Sequence, residues 1–263
     1  MSLTPRRGLL AGLAALLLVA TGGSHAEAAA PSCTAPTSLD HLQAPLPRLA
    51  AKLAAGQEIT IVAFGSSSTQ GIGATAPDRA YPSRLEADLA AALPRARIRV
   101  VNKGIGGERE AEMIRRFDRD VLAEHPDLVI WQVGANAVID DDALHPDERL
   151  IRRGIERLQA AGIDVVLMDL QYAPEMLRHH DYQRMEAYIA AVAHERGVPV
   201  FRRFALMQRW VEAGTFDMKS MIAADELHMN DASYGCLARK LADALLNDLA
   251  GSAVVADNRR PRG

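Results

Sequence analysis

The sequence predicts a three-layer α/β/α sandwich built on a five-stranded parallel sheet. Three observations carry that prediction. Short β-rich apolar runs alternate five times with longer amphipathic runs, an order that calls for right-handed crossovers between parallel strands. The strand runs are nearly continuous Val, Ile and Leu, as expected where helices cover both faces of a sheet. A chain of 263 residues with 49% hydrophobic content suffices for one such core, and neither repeat nor linker divides it.

In chain order, "LPRLAAKLAAG" (46–56) reads as a short helix closed by Gly56. The first strand is "EITIVAF" (58–64), followed by the helix "YPSRLEADLAAALP" (81–94). "RIRVVN" (97–102) precedes "EREAEMIRRFDRDVLAEHP" (108–126), and "DLVIWQV" (127–133) precedes "DERLIRRGIERLQAAG" (147–162). "IDVVLMDL" (163–170) precedes "DYQRMEAYIAAVAHERG" (181–197); "VPVFRRF" (198–204) precedes a last helix near 231–251. The domain is expected over 57–251, after a leader over 29–56 and before a flexible tail at 252–263.

Residues 1–28 read as an export signal peptide. Arg6 and Arg7 precede an apolar segment from Gly8 to Ala20, and small residues follow, with Ala26 or Ala28 as the last residue removed. The apolar segment falls short of the roughly 20 residues of a spanning helix. The expected product is periplasmic or secreted, with no stable membrane insertion. The formal charge of −3 leaves no basic field to recruit nucleic acid or anionic lipid. Cys33 and Cys236 are the two cysteines; in an oxidising compartment they read as one disulfide, with two buried thiols as the alternative. Two cysteines alone make no zinc site, and neither metal nor cofactor is expected.

Ligands of such a sheet sit beyond the carboxyl ends of the strands, and polar residues cluster there. After the first strand, "FGSSSTQG" offers Ser66, Ser67 and Ser68 as nucleophiles, or else a helix cap or phosphate loop. After the second, "NKGIGGERE" offers backbone N–H donors at its glycines, or simply a tight turn. After the third, "VGANAV" places the Asn136 amide at the same rim. Near the C-terminus, "DELH" sets Asp225 three residues before His228, a spacing that lets a carboxylate fix an imidazole tautomer. Serine, donors and an Asp/His pair together suit acyl transfer. "RHHD" (178–181) looks like a metal cluster, but adjacent histidines on a helix point different ways. Trp131 reads as core, Tyr172 and Pro174 as loop, and "ERLIRRGIERL" as a solvent-facing helix.

On these motifs the chain resembles the SGNH hydrolases, the GDSL esterase/lipase superfamily. "GSSSTQG" matches the G-D-S-x-x-x-G block at Gly65, Ser67 and Gly71 and singles out Ser67. "NKGIGG" places the second-block glycine at Gly107, "GANA" matches G-x-N-D at Gly134 and Asn136, and Asp225 with His228 match D-x-x-H. The resemblance implies a flavodoxin-like sheet, a Ser67–His228–Asp225 triad, and an oxyanion hole from the N–H groups of Ser67 and Gly107 and the Asn136 amide. Ser66 stands where the family has Asp, and Ala137 replaces the Asp after the Asn, which leaves open how the nucleophile loop is held. The implied activity is an exported serine esterase acting on short O-acyl groups, carbohydrate O-acetyl esters among them. A lysophospholipase, thioesterase or O-acyltransferase shares the same site; a non-catalytic carbohydrate-binding envelope protein is the reading from another class.

Overall fold

The chain forms two units, Met1–Ala30 and Pro31–Gly263. The computed structural model describes Met1, residues 33–140 and residues 144–258, with side chains to Gly251. The segment read as a signal peptide therefore lies outside the described residues, Met1 apart.

Five strands form one parallel sheet in the order β2-β1-β3-β4-β5. They are β1 (Ile59–Gly65), β2 (Ile98–Gly104), β3 (Leu128–Gln132), β4 (Asp164–Met168) and β5 (Val200–Phe201). The central strands β1, β3 and β4 are buried along nearly their whole length, which is why their sequences carry no polar alternation. Register aligns the carboxyl ends into one rim: Gly65 pairs with Gly104, Phe64 with Trp131, Gln132 with Met168, and Met168 with Phe201. The crossovers diverge between β1 and β3, so the crevice above these two strands is the expected ligand position.

Twelve α-helices join the strands among the described residues. Before β1 comes α1 (Pro47–Ala54); between β1 and β2 come α2 (Ser67–Gln70) and α3 (Tyr81–Ala92). The β2–β3 crossover holds α4 (Glu110–Arg115) and α5 (Phe117–Asp120), and α6 (Ala135–Ile139) and α7 (His145–Ala160) follow β3. After β4 come α8 (Pro174–Arg178) and α9 (Tyr182–Arg196); after β5 come α10 (Arg203–Glu212), α11 (Met218–Met221) and α12 (Asp231–Asn258). α3 packs with α12 in one helical layer, and α4, α7 and α9 pack in series in the other. Within the latter side of the core, Phe64, Phe117 and Trp131 form an aromatic cluster with centroids 5.5–6.1 Å apart. Gly154 lets α7 lie on Trp131, since a Cβ there would meet the indole at 2.2 Å.

Four details depart from the expectations. The fifth strand stops at Phe201, and Arg203 begins α10, a helix the sequence reading did not assign. Arg203 is fully buried, donating to the carbonyls of Asp169 and Leu170 and to Gln171 Oε1, so a residue placed in the fifth strand run instead ties α10 to the end of β4. α7 is not simply solvent-facing: Glu148 is buried against Arg184, and Arg152 pairs with Glu195, so its polar side packs on α9. The last helix continues to Asn258, into the segment read as a tail; residues 259–263 lie outside the described residues.

Cys33 and Cys236 form a disulfide that joins the leader to α12 across 203 positions. No helix among the described residues is long and apolar enough to cross a membrane.

Candidate active site

The three serines of the opening loop have three different surroundings. Ser66 is buried, and both its N–H and its hydroxyl donate to Gln132 Oε1, at 2.8 and 3.0 Å. Ser68 is buried beside the Tyr234 hydroxyl. Ser67 alone of the three is partly exposed, and its Oγ lies 2.7 Å from His228 Nε2. A strand entering a short helix fixes this division, because consecutive residues there point in different directions.

His228 is held from its other side. Its Nδ1 lies 2.7 Å from Asp225 Oδ2, while Asp225 Oδ1 accepts the backbone N–H groups of Leu227 and His228 at 3.0 and 2.9 Å. Burial pulls the Asp225 carboxyl upward, but these donors and the adjoining imidazole outweigh it and hold the group below the usual carboxylate range. An ionised Asp225 places the proton on Nδ1 and leaves Nε2 to accept from the serine. Glu226 adopts a left-handed φ of 61° to close this tight loop. The loop is braced by an isolated bridge between Ile222 and Met229, by the Glu226 carbonyl accepting the Glu175 N–H at 3.0 Å, and by the Arg178–Glu226 ion pair. Gly73 presses against it: a Cβ there would meet Met229 O at 2.3 Å.

The expected oxyanion donors lie on the neighbouring loops. Gly106 donates to Gln70 Oε1 at 2.7 Å, and a Cβ built on it would come 3.7 Å from Ser67 Cβ, so the Gly106–Gly107 turn stands beside the nucleophile loop. Gly107 has φ +77°, a conformation that favours glycine. Neither Ser67 N–H nor Gly107 N–H has an acceptor among the described residues. Asn136, in the first turn of α6, donates one amide N–H to the Glu108 carbonyl at 2.8 Å. Its second N–H is uncommitted there, and Glu108 lies next to Gly107 in the chain. Ala137, in the position of the family's Asp, is fully buried.

Four residues that matter here went unread in the sequence. Gln132 holds Ser66. Arg116 donates to the Gly65 carbonyl at 3.1 Å and pairs with Glu108 at 2.6 Å, its guanidinium 4.3 Å from the Phe64 ring centroid. Glu108 thereby has its side chain fixed and its carbonyl on Asn136. Glu110 is buried and accepts the Gly134 N–H at 2.7 Å, at the start of α6. The one signal available was compositional: Gln132 and Glu110 are polar residues at positions that the surrounding pattern assigns to the interior.

His180 is exposed, and His179 lies 3.5 Å from Glu175. Trp131 is core, its Nε1 directed at Met113 Sδ. Tyr172 packs edge-on against Phe204.

The fold and this constellation define the SGNH hydrolase class. The chain belongs to the Non-GDSL lipase-like family, whose model matches residues 32–251. An acetylxylan esterase of Geobacillus stearothermophilus is 44% identical over 50 residues, which are 19% of this chain and 23% of that protein. The match thus spans about a quarter of the relative's length. A two-domain esterase active on acetylated mannans has a TM-score of 0.66 at 22% identity, covering 80% of this chain and 56% of that one. The acetyl xylan esterase AlAXEase has a TM-score of 0.61 at 20% identity, over 71% of this chain and all of that chain. A lipase/acylhydrolase from Enterococcus faecalis has a TM-score of 0.58 at 22% identity, over 70% and 93%. At these identities the likeness is one of fold.

Proposed function

We propose that the chain is an exported serine esterase that removes O-acetyl or other short O-acyl groups from carbohydrate. One observation carries this reading: the unbroken hydrogen-bonded line from Asp225 through His228 to Ser67, at 2.7 Å on each side of the imidazole. In the reaction, His228 Nε2 takes the Ser67 proton as Oγ bonds to the ester carbonyl carbon. The N–H groups of Ser67 and Gly107 and the Asn136 amide donate to the resulting oxyanion. The imidazolium, stabilised by Asp225, then protonates the leaving alcohol oxygen as the tetrahedral intermediate collapses to the acyl-serine. Water, deprotonated by the same imidazole, attacks the acyl carbon, and the imidazolium returns that proton to Ser67 Oγ as the acyl–Oγ bond breaks and the acid leaves.

The carbohydrate substrate class is supported by the relatives active on acetylated xylan and mannan. Export is supported by the leader composition and by a disulfide, a bond that persists in oxidising compartments. In this reading residues 57–251 are the hydrolase domain.

The test is acetate release by purified protein from acetylated xylo- and manno-oligosaccharides and from a chromogenic acetate ester, with Ser67→Ala as control. Release that the control lacks is expected. Equal release by both proteins overturns the serine mechanism; acyl transfer to an added sugar without free acetate makes the chain an acyltransferase; no reaction with any ester removes the esterase reading.

A further inference from the structure

Resting on the esterase reading, we infer that Gln132 is a positioning residue of the catalytic serine, doing with a neutral amide what holds the loop where Ser66 replaces the family's Asp. Gln132 ends β3, after the apolar run Leu-Val-Ile-Trp, and is 1% exposed. An amide buried there is costly unless its groups are bonded. Its Oε1 accepts three donors from the opposite strand's loop: Ser66 N–H at 2.8 Å, the Ser66 hydroxyl at 3.0 Å and the Thr69 hydroxyl at 3.4 Å. A backbone N–H can only donate, so the atom facing Ser66 is the oxygen and the amide orientation is fixed.

The consequence falls on one peptide group. The Gly65 carbonyl accepts from Ile105 N–H at 3.1 Å and from Arg116 Nη2 at 3.1 Å, and the Ser66 N–H at the other end of the same peptide is held by Gln132. The Gly65–Ser66 peptide plane is thus pinned at both ends, and the next plane, which carries the Ser67 N–H, is held where the Ser66 carbonyl accepts the Thr69 and Gln70 N–H groups at 3.1 and 2.9 Å. Gly65 is required for this approach: a Cβ there would stand 2.7 Å from Gln132 Oε1 and 2.4 Å from Thr69 Oγ1. Thr69 Oγ1 also lies 3.3 Å from the buried Tyr81 hydroxyl, which extends the same network into α3. Gln132 touches no reacting atom; it acts through Ser66.

Two variants test this. Gln132→Leu keeps the approximate volume and removes the acceptor, whereas Gln132→Glu keeps an acceptor of the same shape and adds an ionisation. For folded Gln132→Leu the expected result is a kcat on the chromogenic acetate lower by about 10- to 100-fold with KM within about twofold, because a misaligned nucleophile weakens the transition state more than substrate binding. Gln132→Glu is expected to recover most of kcat and to show an ionisation in its kcat–pH profile that wild type lacks. A folded Gln132→Leu with kcat within about twofold of wild type overturns the inference. So does a Gln132→Glu profile superimposable on wild type, a comparison that decides the matter even if the leucine variant does not fold. Should wild type turn over no ester, the esterase reading falls separately. The rate at which a fluorophosphonate labels Ser67, read by intact mass, then replaces kcat with the same expected order of variants and the same overturning results.

Discussion

His228 Nε2 and Ser67 Oγ stand 2.7 Å apart although 161 positions separate them in the chain. β1 delivers the serine and a loop ahead of α12 delivers the imidazole, and the loop is itself tied to α8 and to Gly73. If this contact is the working one, Ser67→Ala lowers esterase turnover by at least about 10⁴-fold with an unchanged melting temperature. Ser68→Ala is expected to retain activity. Turnover that survives Ser67→Ala and is lost in the neighbouring variant would reassign the nucleophile.

Asp225→Asn isolates the role of the carboxylate. An asparagine still offers an oxygen to the Leu227 and His228 N–H groups, but its amide nitrogen donates toward Nδ1 and selects the wrong imidazole tautomer. A loss in kcat on the order of 10³- to 10⁴-fold is expected, with little change in KM or folding. Near-normal kcat in a folded Asp225→Asn protein would show that the imidazole is oriented by something else.

Gly107→Ala separates backbone strain from catalysis. At φ +77° a side chain is strained, yet a Cβ there meets nothing within 4 Å. Gly197, at φ +63° and equally unobstructed at the end of α9, is the matched control. Both alanine variants are expected to lose about 1–2 kcal/mol of stability in urea unfolding. Loss of kcat should accompany the change at Gly107 alone; a matching loss at Gly197 would deny Gly107 any special place.

Glu110 predicts how stability varies with pH. Burial pushes its carboxyl up to about 7, opposed by the Gly134 N–H and aided by the like charge of Asp147. A carboxyl whose folded pKa lies above its unfolded value binds its proton more tightly when folded. Its favourable share of stability is therefore complete below the unfolded value and is lost as pH rises through about 7. Glu110→Gln keeps an acceptor for Gly134 and turns a donor toward Asp147. Above pH 7 it is expected to be more stable than wild type by on the order of 2–3 kcal/mol, an advantage that fades in acid. Parallel stability–pH curves for the two proteins would contradict this.

The disulfide closes a loop of 203 positions, for which the chain-entropy model gives roughly 5 kcal/mol. Reduction, or the double change Cys33→Ser and Cys236→Ser, is expected to lower the denaturation midpoint while leaving kcat near that of wild type, since Cys236 lies in α12, in the helical layer it shares with α3, and not in the loops that carry Ser67 and His228. An unchanged midpoint would mean that the cross-link contributes nothing to the stability of the folded state.

The strand runs were legible because burial on both faces writes itself as unbroken Val, Ile and Leu, and glycine with hydroxyls at the rim betrayed the loops. α10 was not legible: Arg202 and Arg203 read as the charged end of a strand, and nothing local says that Arg203 is buried under two carbonyls contributed by residues more than thirty positions earlier. Nor was Gln132 legible as a partner of Ser66, because their pairing depends on β1 and β3 being neighbours while β2 lies outside them.

By itself the sequence determined the five strands and the main helix that follows each, the chemical groups offered at each rim loop, and the two cysteines available to each other. Those follow from local pattern, since periodicity and turn chemistry act over a few residues. Tertiary structure supplied what the motifs could not: the contact of the Ser67 hydroxyl with the imidazole, the Gln132 amide that accepts from Ser66, and the Glu108 carbonyl that accepts from Asn136. Each of these is a distance between groups brought by separate segments of the chain, and only the packed fold fixes such distances to within a hydrogen bond.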